Sequence, residues 1–175
     1  KERGSILPNA SMALYDSDGL PVGYSAANAV MTRQTDANDD VQIVVTHDNG
    51  PSAARLLTPA FDLGEADAYS IGVRIKSLDG VQQARVHVNY LNGSLDSTEA
   101  SLSSLAGWSR NVKTGASSDQ LDSDGDPSNG IGEWTIDGNY TSILATWDRN
   151  ANAEDATVAS LMIECDSDFE VDYIL

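Results

Sequence analysis

The chain has one cysteine, two histidines and only 10 basic side chains in 175 residues. A single cysteine, Cys165, excludes an intrachain disulfide and any zinc site built on cysteine pairs. Its place in the apolar run Val158–Cys165 suits a small buried side chain. A nucleophilic role would need an activating group close by, and nothing in the spacing of His47 and His87 links either to it. No apolar run approaches the roughly 18 residues of a membrane-crossing helix. The shortage of positive charge excludes most. Against 27 acidic residues, the basic ones leave a formal net charge of -17. Such a chain repels the phosphate backbone that supplies most nucleic-acid affinity, and it repels anionic lipid. Neither a nucleic-acid partner nor membrane insertion is expected.

What is present points to a globular chain. The hydrophobic fraction is 41%, enough for a core, and the length suits one domain over residues 1–175. The opening on Lys1 rather than Met suggests a processed product or a part of a larger protein. Asp outnumbers Glu 20 to 7, and Arg outnumbers Lys 7 to 3. An Asp-rich, Lys-poor surface stays hydrated where salt cuts the Debye length to about 3 Å. This resembles proteins of salt-adapted organisms or of their viruses, and an acidic extracellular domain of an ordinary microbe has the same composition.

The dominant pattern has period two. Tyr69, Ile71, Val73 and Ile75 alternate with Ser70, Gly72, Arg74 and Lys76; Ala84, Val86, Val88 and Tyr90 alternate with Gln83, Arg85, His87 and Asn89. Val41–Val45 and Phe169–Tyr173 behave likewise. Alternation of this kind predicts strands with one buried face. The less regular runs Ile143–Trp147 and Val158–Ile163 predict strands nearer the middle of a sheet. Turn signals fall at Asp18-Gly19, Asn49-Gly50-Pro51, Asp79-Gly80, Asn92-Gly93 and Asp137-Gly138, with Asp79-Gly80 reading as a hairpin. Ser97–Leu105 is the best helical candidate, and residues 114–132 read as a long Gly/Ser/Asp-rich loop. The fold class expected is all-β: an antiparallel sandwich of about ten strands.

Three separated pieces resemble jelly-roll carbohydrate-binding modules of the galactose-binding-like kind. Ile6–Met12 followed by Asp18-Gly19-Leu20-Pro21-Val22-Gly23-Tyr24 is similar to their opening N-x-S-F-E … G-x-P-x-G-W. Leu57-Thr58-Pro59-Ala60-Phe61-Asp62-Leu63, running into Tyr69–Ser77, resembles their central strand pair, and Phe169–Leu175 their closing strand. The resemblance implies a jelly-roll β-sandwich whose first and last strands lie near each other. Such domains occur in secreted glycoside hydrolases and in fibre or capsid-surface proteins of tailed viruses. In related modules a Glu near the start helps hold a structural calcium beside the closing Asp. Here Ala13 stands at the Glu position, Tyr24 at the Trp position and Asp172 at the closing Asp.

Candidate chemistry follows from residue types. Asp122, Asp124, Asp126 and Glu133 fall at positions 1, 3, 5 and 12 of a calcium-loop spacing. Pro127 stands where that loop bends on Gly, and a solvated acidic loop with Asx turns is the competing reading. Asp16-Ser17-Asp18 is a shorter version of the pattern. Glycan recognition uses exposed aromatic faces with amides, carboxylates and Arg to read hydroxyls. Aromatics are scarce, at 6%; Trp108 and Trp134 are the candidates, with Tyr90 and Tyr140 behind them, while Trp147, alternating with Ile143 and Ala145, reads as core. Arg85, His87 and Asn89 share one strand face and are candidates to line a binding surface. For glycoside hydrolysis, most acids lie in loops or at polar strand positions where they simply ionise; Glu164 and Glu170, in strands, are the least bland, and no nucleophile-elbow motif is present.

The sequence therefore predicts a non-catalytic, surface-exposed module that recognises cell-surface or polymeric glycans, with calcium as its candidate cofactor. Its expected place is extracellular or on a virion surface. The alternatives are a structural virion protein acting in assembly, with homo-oligomer or virion neighbours, and an accessory domain of a secreted glycoside hydrolase.

Overall fold

The alternating segments are strands. The computed structural model describes residues 7–10, 12, 14–64, 68–91, 119–120, 133–148 and 158–175. In chain order its strands are β1 (Ser25–Ala27), β2 (Ala29–Thr35), β3 (Val41–His47), β4 (Ala54–Leu57), β5 (Phe61–Asp62), β6 (Ala68–Ser77), β7 (Gln82–Leu91), β8 (Asp119–Gln120), β9 (Glu133–Ile136), β10 (Thr141–Asp148), β11 (Val158–Cys165) and β12 (Phe169–Ile174). No helix occurs among the described residues. The helical candidate Ser97–Leu105, Asn92-Gly93 and most of the 114–132 loop lie outside them.

The strands form two antiparallel sheets. One runs β1-β4-β11-β7-β8, with β5 also on β11 and β9 also on β7; the other runs β10-β6-β12-β3-β2. Their inner faces close on one core. Ala84, Val86 and Val88 of β7 and Ala159, Leu161 and Ile163 of β11 belong to it, as do Ile71, Val73 and Ile75 of β6 and Ile43 and Val45 of β3. Burial of these alternate residues is the main stabilising term, about 25 cal/mol per Å² of apolar surface.

The start and end of the chain meet as the jelly roll requires. Ile174 N–H donates to the Ala10 carbonyl at 3.4 Å. Tyr24 is buried, and its hydroxyl donates to the Asn9 carbonyl at 3.2 Å. Burial raises the pKa of that hydroxyl. Cys165 is fully buried, as expected from its apolar run.

Three local expectations change. Asp79-Gly80 is not a hairpin: β6 and β7 belong to opposite sheets, so the turn carries the chain across the sandwich. The apolar sets of both strands face the same core, and alternation alone does not reveal which sheet each joins. Ile143–Trp147 lies in β10 at the rim of its sheet rather than near the middle. Within it Ile143 is buried, while Leu144 projects outward and is 76% exposed. At the closing strand a register shift between Val171 and Tyr173 inserts one residue. Ile174, not Tyr173, joins Phe169 and Val171 in the core.

Candidate functional site

Across four strands of the first sheet, the outward residues form a row of alternating charge. Glu164 stands opposite Arg55 on β4 and opposite Arg85 on β7, and Arg85 stands opposite Glu133 on β9. Strand alternation produces this row. Inward neighbours such as Ala84, Val86 and Ile163 fill the core, so Arg85, His87 and Glu164 must point out.

Arg55 Nε donates to Glu164 Oε2 and Arg85 Nε to Glu164 Oε1, both at 2.8 Å. Arg85 also donates from a terminal nitrogen to Asp166 Oδ1 at 2.8 Å. A second terminal nitrogen lies 3.7 Å from Glu133. The His87 ring nitrogen Nε2 stands 3.4 Å from Glu164 Oε1. His87 first, and then the guanidinium groups of Arg85 and Arg55, hold the Glu164 carboxyl well below the usual carboxylate range, against the burial that would raise it. Beside this row lies a second apolar cluster, Ala27, Leu57, Val158 and Met162, with Met162 opposite His87 and Leu57 in the register. The cluster is closed over, while Arg55, Arg85 and His87 keep side-chain exposures of 29%, 16% and 14%.

The structure brings Arg85 and His87 together, and Asn89 holds the next alternate position on β7, opposite Ser160. Arg55 and Glu164 complete the constellation; neither was a binding candidate from sequence, because only the register reveals their adjacency. Trp134 is half-buried and packs against the main core. Tyr140 lies by the other sheet, its hydroxyl donating to Glu170 Oε1. Burial, and then that hydrogen bond, raise its pKa. Arg74 and Lys76 sit 4.5 and 4.6 Å from its ring centroid. Trp108 lies outside the described residues.

The acidic candidates divide similarly. Asp122, Asp124 and Asp126 lie outside the described residues. Glu133 faces Arg85. Asp172 is held by Arg74 at 2.5 Å. Among the described residues no cluster of three His, Cys, Asp or Glu side chains could hold a metal. Glu164 and Glu170 point outward from opposite sheets, with the core between them. They do not flank one bond as a glycosidase pair does.

The Arg74–Asp172 pair is half-exposed, so its contribution is modest. Arg74→Met and Asp172→Asn are each expected to cost about 1 kcal/mol, and the double variant little more than either. Thermal melts in a double-mutant cycle check this.

The backbone path has clear counterparts. Residues of this chain superpose on the C-terminal family 22 carbohydrate-binding module of Clostridium thermocellum xylanase 10B with a TM-score of 0.56, over 94% of this chain and 88% of that one, at 11% identity. The fold is that of jelly-roll carbohydrate-binding modules. The CBM22-1 xylan-binding domain of Paenibacillus barcinonensis gives a TM-score of 0.54 over 94% and 88%, at 10% identity. The enzymatically active domain of tailspike protein 4 from bacteriophage CBA120 gives 0.52 at 10% identity; 87% of this chain is covered but only 18% of that one. The chain likewise spans 25% of the Clostridium thermocellum module pair solved with xylohexaose, at 16% identity, a TM-score of 0.54 and 87% coverage of this chain. No protein family matches the sequence, and no curated protein does.

Proposed function

We propose that this chain is a non-catalytic glycan-binding module that uses the outer face of the β4-β11-β7-β9 sheet. The observation that carries the reading is the Arg55–Glu164–Arg85–His87 row, in which one carboxylate holds two part-exposed guanidinium groups. Sugar hydroxyls need donors and acceptors held in fixed directions. Glu164 fixes both guanidinium groups, so little side-chain freedom is lost on binding. The jelly-roll likeness to modules described as xylan-binding supports a polymeric or cell-surface glycan as ligand. A xylanase solved with xylohexaose and a bacteriophage tailspike among the structural counterparts support an extracellular or virion-surface location. The excess of Asp supports work in salt.

Affinity electrophoresis through gels containing xylan or other neutral polysaccharides tests the reading. Retardation is expected, and His87→Ala should weaken it about tenfold, the effect of one lost directed hydrogen bond. Absence of retardation by every polysaccharide contradicts the proposal.

A second reading, a virion assembly domain, is favoured by the other sheet. Leu144 and Leu175 are both exposed and approach Gly72 from either side, an apolar spot suited to a neighbouring chain.

A further inference from the structure

Five Lys and Arg side chains lie among the described residues: Arg33, Arg55, Arg74, Lys76 and Arg85. Four of them pair with carboxylates: Arg55 and Arg85 with Glu164, Arg74 with Asp172, and Lys76 with Glu170. Arg33 has no carboxylate partner among the described residues. In a chain with 27 acidic and 10 basic residues, acids are not in short supply, so the exception is local.

Arg33 lies on β2 opposite Ile43, at the rim of the second sheet. It is half-buried, and its Nε is shut off from solvent without a hydrogen-bond partner. Its guanidinium carbon stands 4.3 Å from the ring centroid of Tyr15. Tyr15 is 54% exposed and is bridged to Pro21 in a short two-stranded turn. That turn is well fixed. Asp16 Oδ1 accepts from the Asp18 and Leu20 amides at 2.9 and 3.0 Å. The Asn9 side chain donates to the Leu14 carbonyl at 2.7 Å and accepts from the Leu14 amide at 2.9 Å. Leu14 and Val22 are exposed on the same turn.

We propose that Tyr15 and Arg33 form a binding site for an acidic sugar, a uronate unit of a polysaccharide. The C–H face of the sugar would lie on exposed aromatic and apolar surface, and its carboxylate on the terminal nitrogens of Arg33. Both halves match the chemistry. A tyrosine face packs against sugar C–H groups, and a guanidinium with no carboxylate partner among the described residues can take a ligand carboxylate in fork geometry. Cation–π contact with Tyr15 holds the guanidinium in place before binding. The net charge opposes a polyuronate at long range, but salt near 1 M screens that repulsion beyond about 3 Å and spares the contact pair. The ligand class rests on the glycan-binding reading; the site is separate from the Arg85–His87 face.

Calorimetric titration in about 1 M salt with oligogalacturonate and with xylohexaose tests the inference. Oligogalacturonate is expected to bind, and Arg33→Gln and Tyr15→Ala should each weaken it about tenfold, with xylohexaose binding unaffected. Tyr15 is exposed, so its variant keeps the test valid if Arg33→Gln folds poorly. Xylohexaose binding without oligogalacturonate binding, or oligogalacturonate binding that neither variant weakens, overturns this inference alone. Binding of neither sugar overturns it together with the proposed function. Binding of a poly-glutamate peptide in place of oligogalacturonate overturns the ligand class.

Discussion

Glu164→Ala is expected to destabilise the fold by about 3 kcal/mol. Breaking an enclosed ion pair leaves charge uncompensated and costs roughly 3–5 kcal/mol. Two guanidinium groups lose their shared anion here, but Arg85 keeps Asp166 and Arg55 keeps partial exposure, so the lower end applies. Chemical denaturation of wild type and variant measures the difference. Acid titration adds a signature. The folded state holds the Glu164 carboxyl below its ordinary range, so the unfolded chain takes up the proton first as pH falls. The contribution of Glu164 is therefore complete above the unfolded carboxylate value of about 4.3 and fades as pH falls below it. The stability gap between wild type and Glu164→Gln should be constant near neutrality and shrink on acidification. A gap that is flat down to strongly acidic pH would show that the carboxylate is not held by its cationic neighbours.

Gly23→Ala is expected to cost a similar amount, about 3 kcal/mol, by a different route. The residue adopts φ 83, and an added Cβ would lie 2.8 Å from Pro59 Cγ and 2.9 Å from Pro59 Cβ. Left-handed backbone costs a side-chain-bearing residue roughly 1–2 kcal/mol. Overpacking against a rigid ring adds about 1–3 kcal/mol. Pro59 follows Thr58, whose hydroxyl accepts from the Leu161 amide at 2.9 Å where β4 gives way to β5. A shift there would propagate to β11, the strand that carries Glu164. Gly19→Ala is the control. It has φ 77 with nothing near its Cβ, so it should pay the backbone cost alone.

Much of this fold was legible because burial on one face writes itself into the sequence. The four alternating segments became β3, β6, β7 and β12, and the apolar run Val158–Ile163 became β11, which neighbours strands on both sides. What alternation cannot encode is partnership. Asp79-Gly80 reads alike whether its strands pair or face each other across a core. Leu144 looks like a core residue within its apolar run until the register sets Ile143 inward opposite Val73 and Leu144 outward opposite Gly72. The extra residue in β12 is invisible because Asp172 and Tyr173 are both acceptable on an outer face. The site was half legible for the same reason. Arg85 and His87 follow from parity within one strand, but Arg55 and Glu164 come from strands 30 and 79 positions away from Arg85 in the chain, joined only by register. Arg33 reads as an ordinary polar strand position; its missing carboxylate partner emerges only when every described cation is followed to its partner.

The most direct test is to map the backbone amide shifts of the isotopically labelled protein as a neutral glycan such as xylohexaose is titrated in. The predicted result is a set of shifts that follows β4, β11 and β7 around Arg55, Glu164, Arg85 and His87, leaving β6 and β12 around Arg74 and Glu170 unmoved. Shifts confined to the Arg74–Glu170 side, or none with any glycan, would contradict the assignment of the binding face.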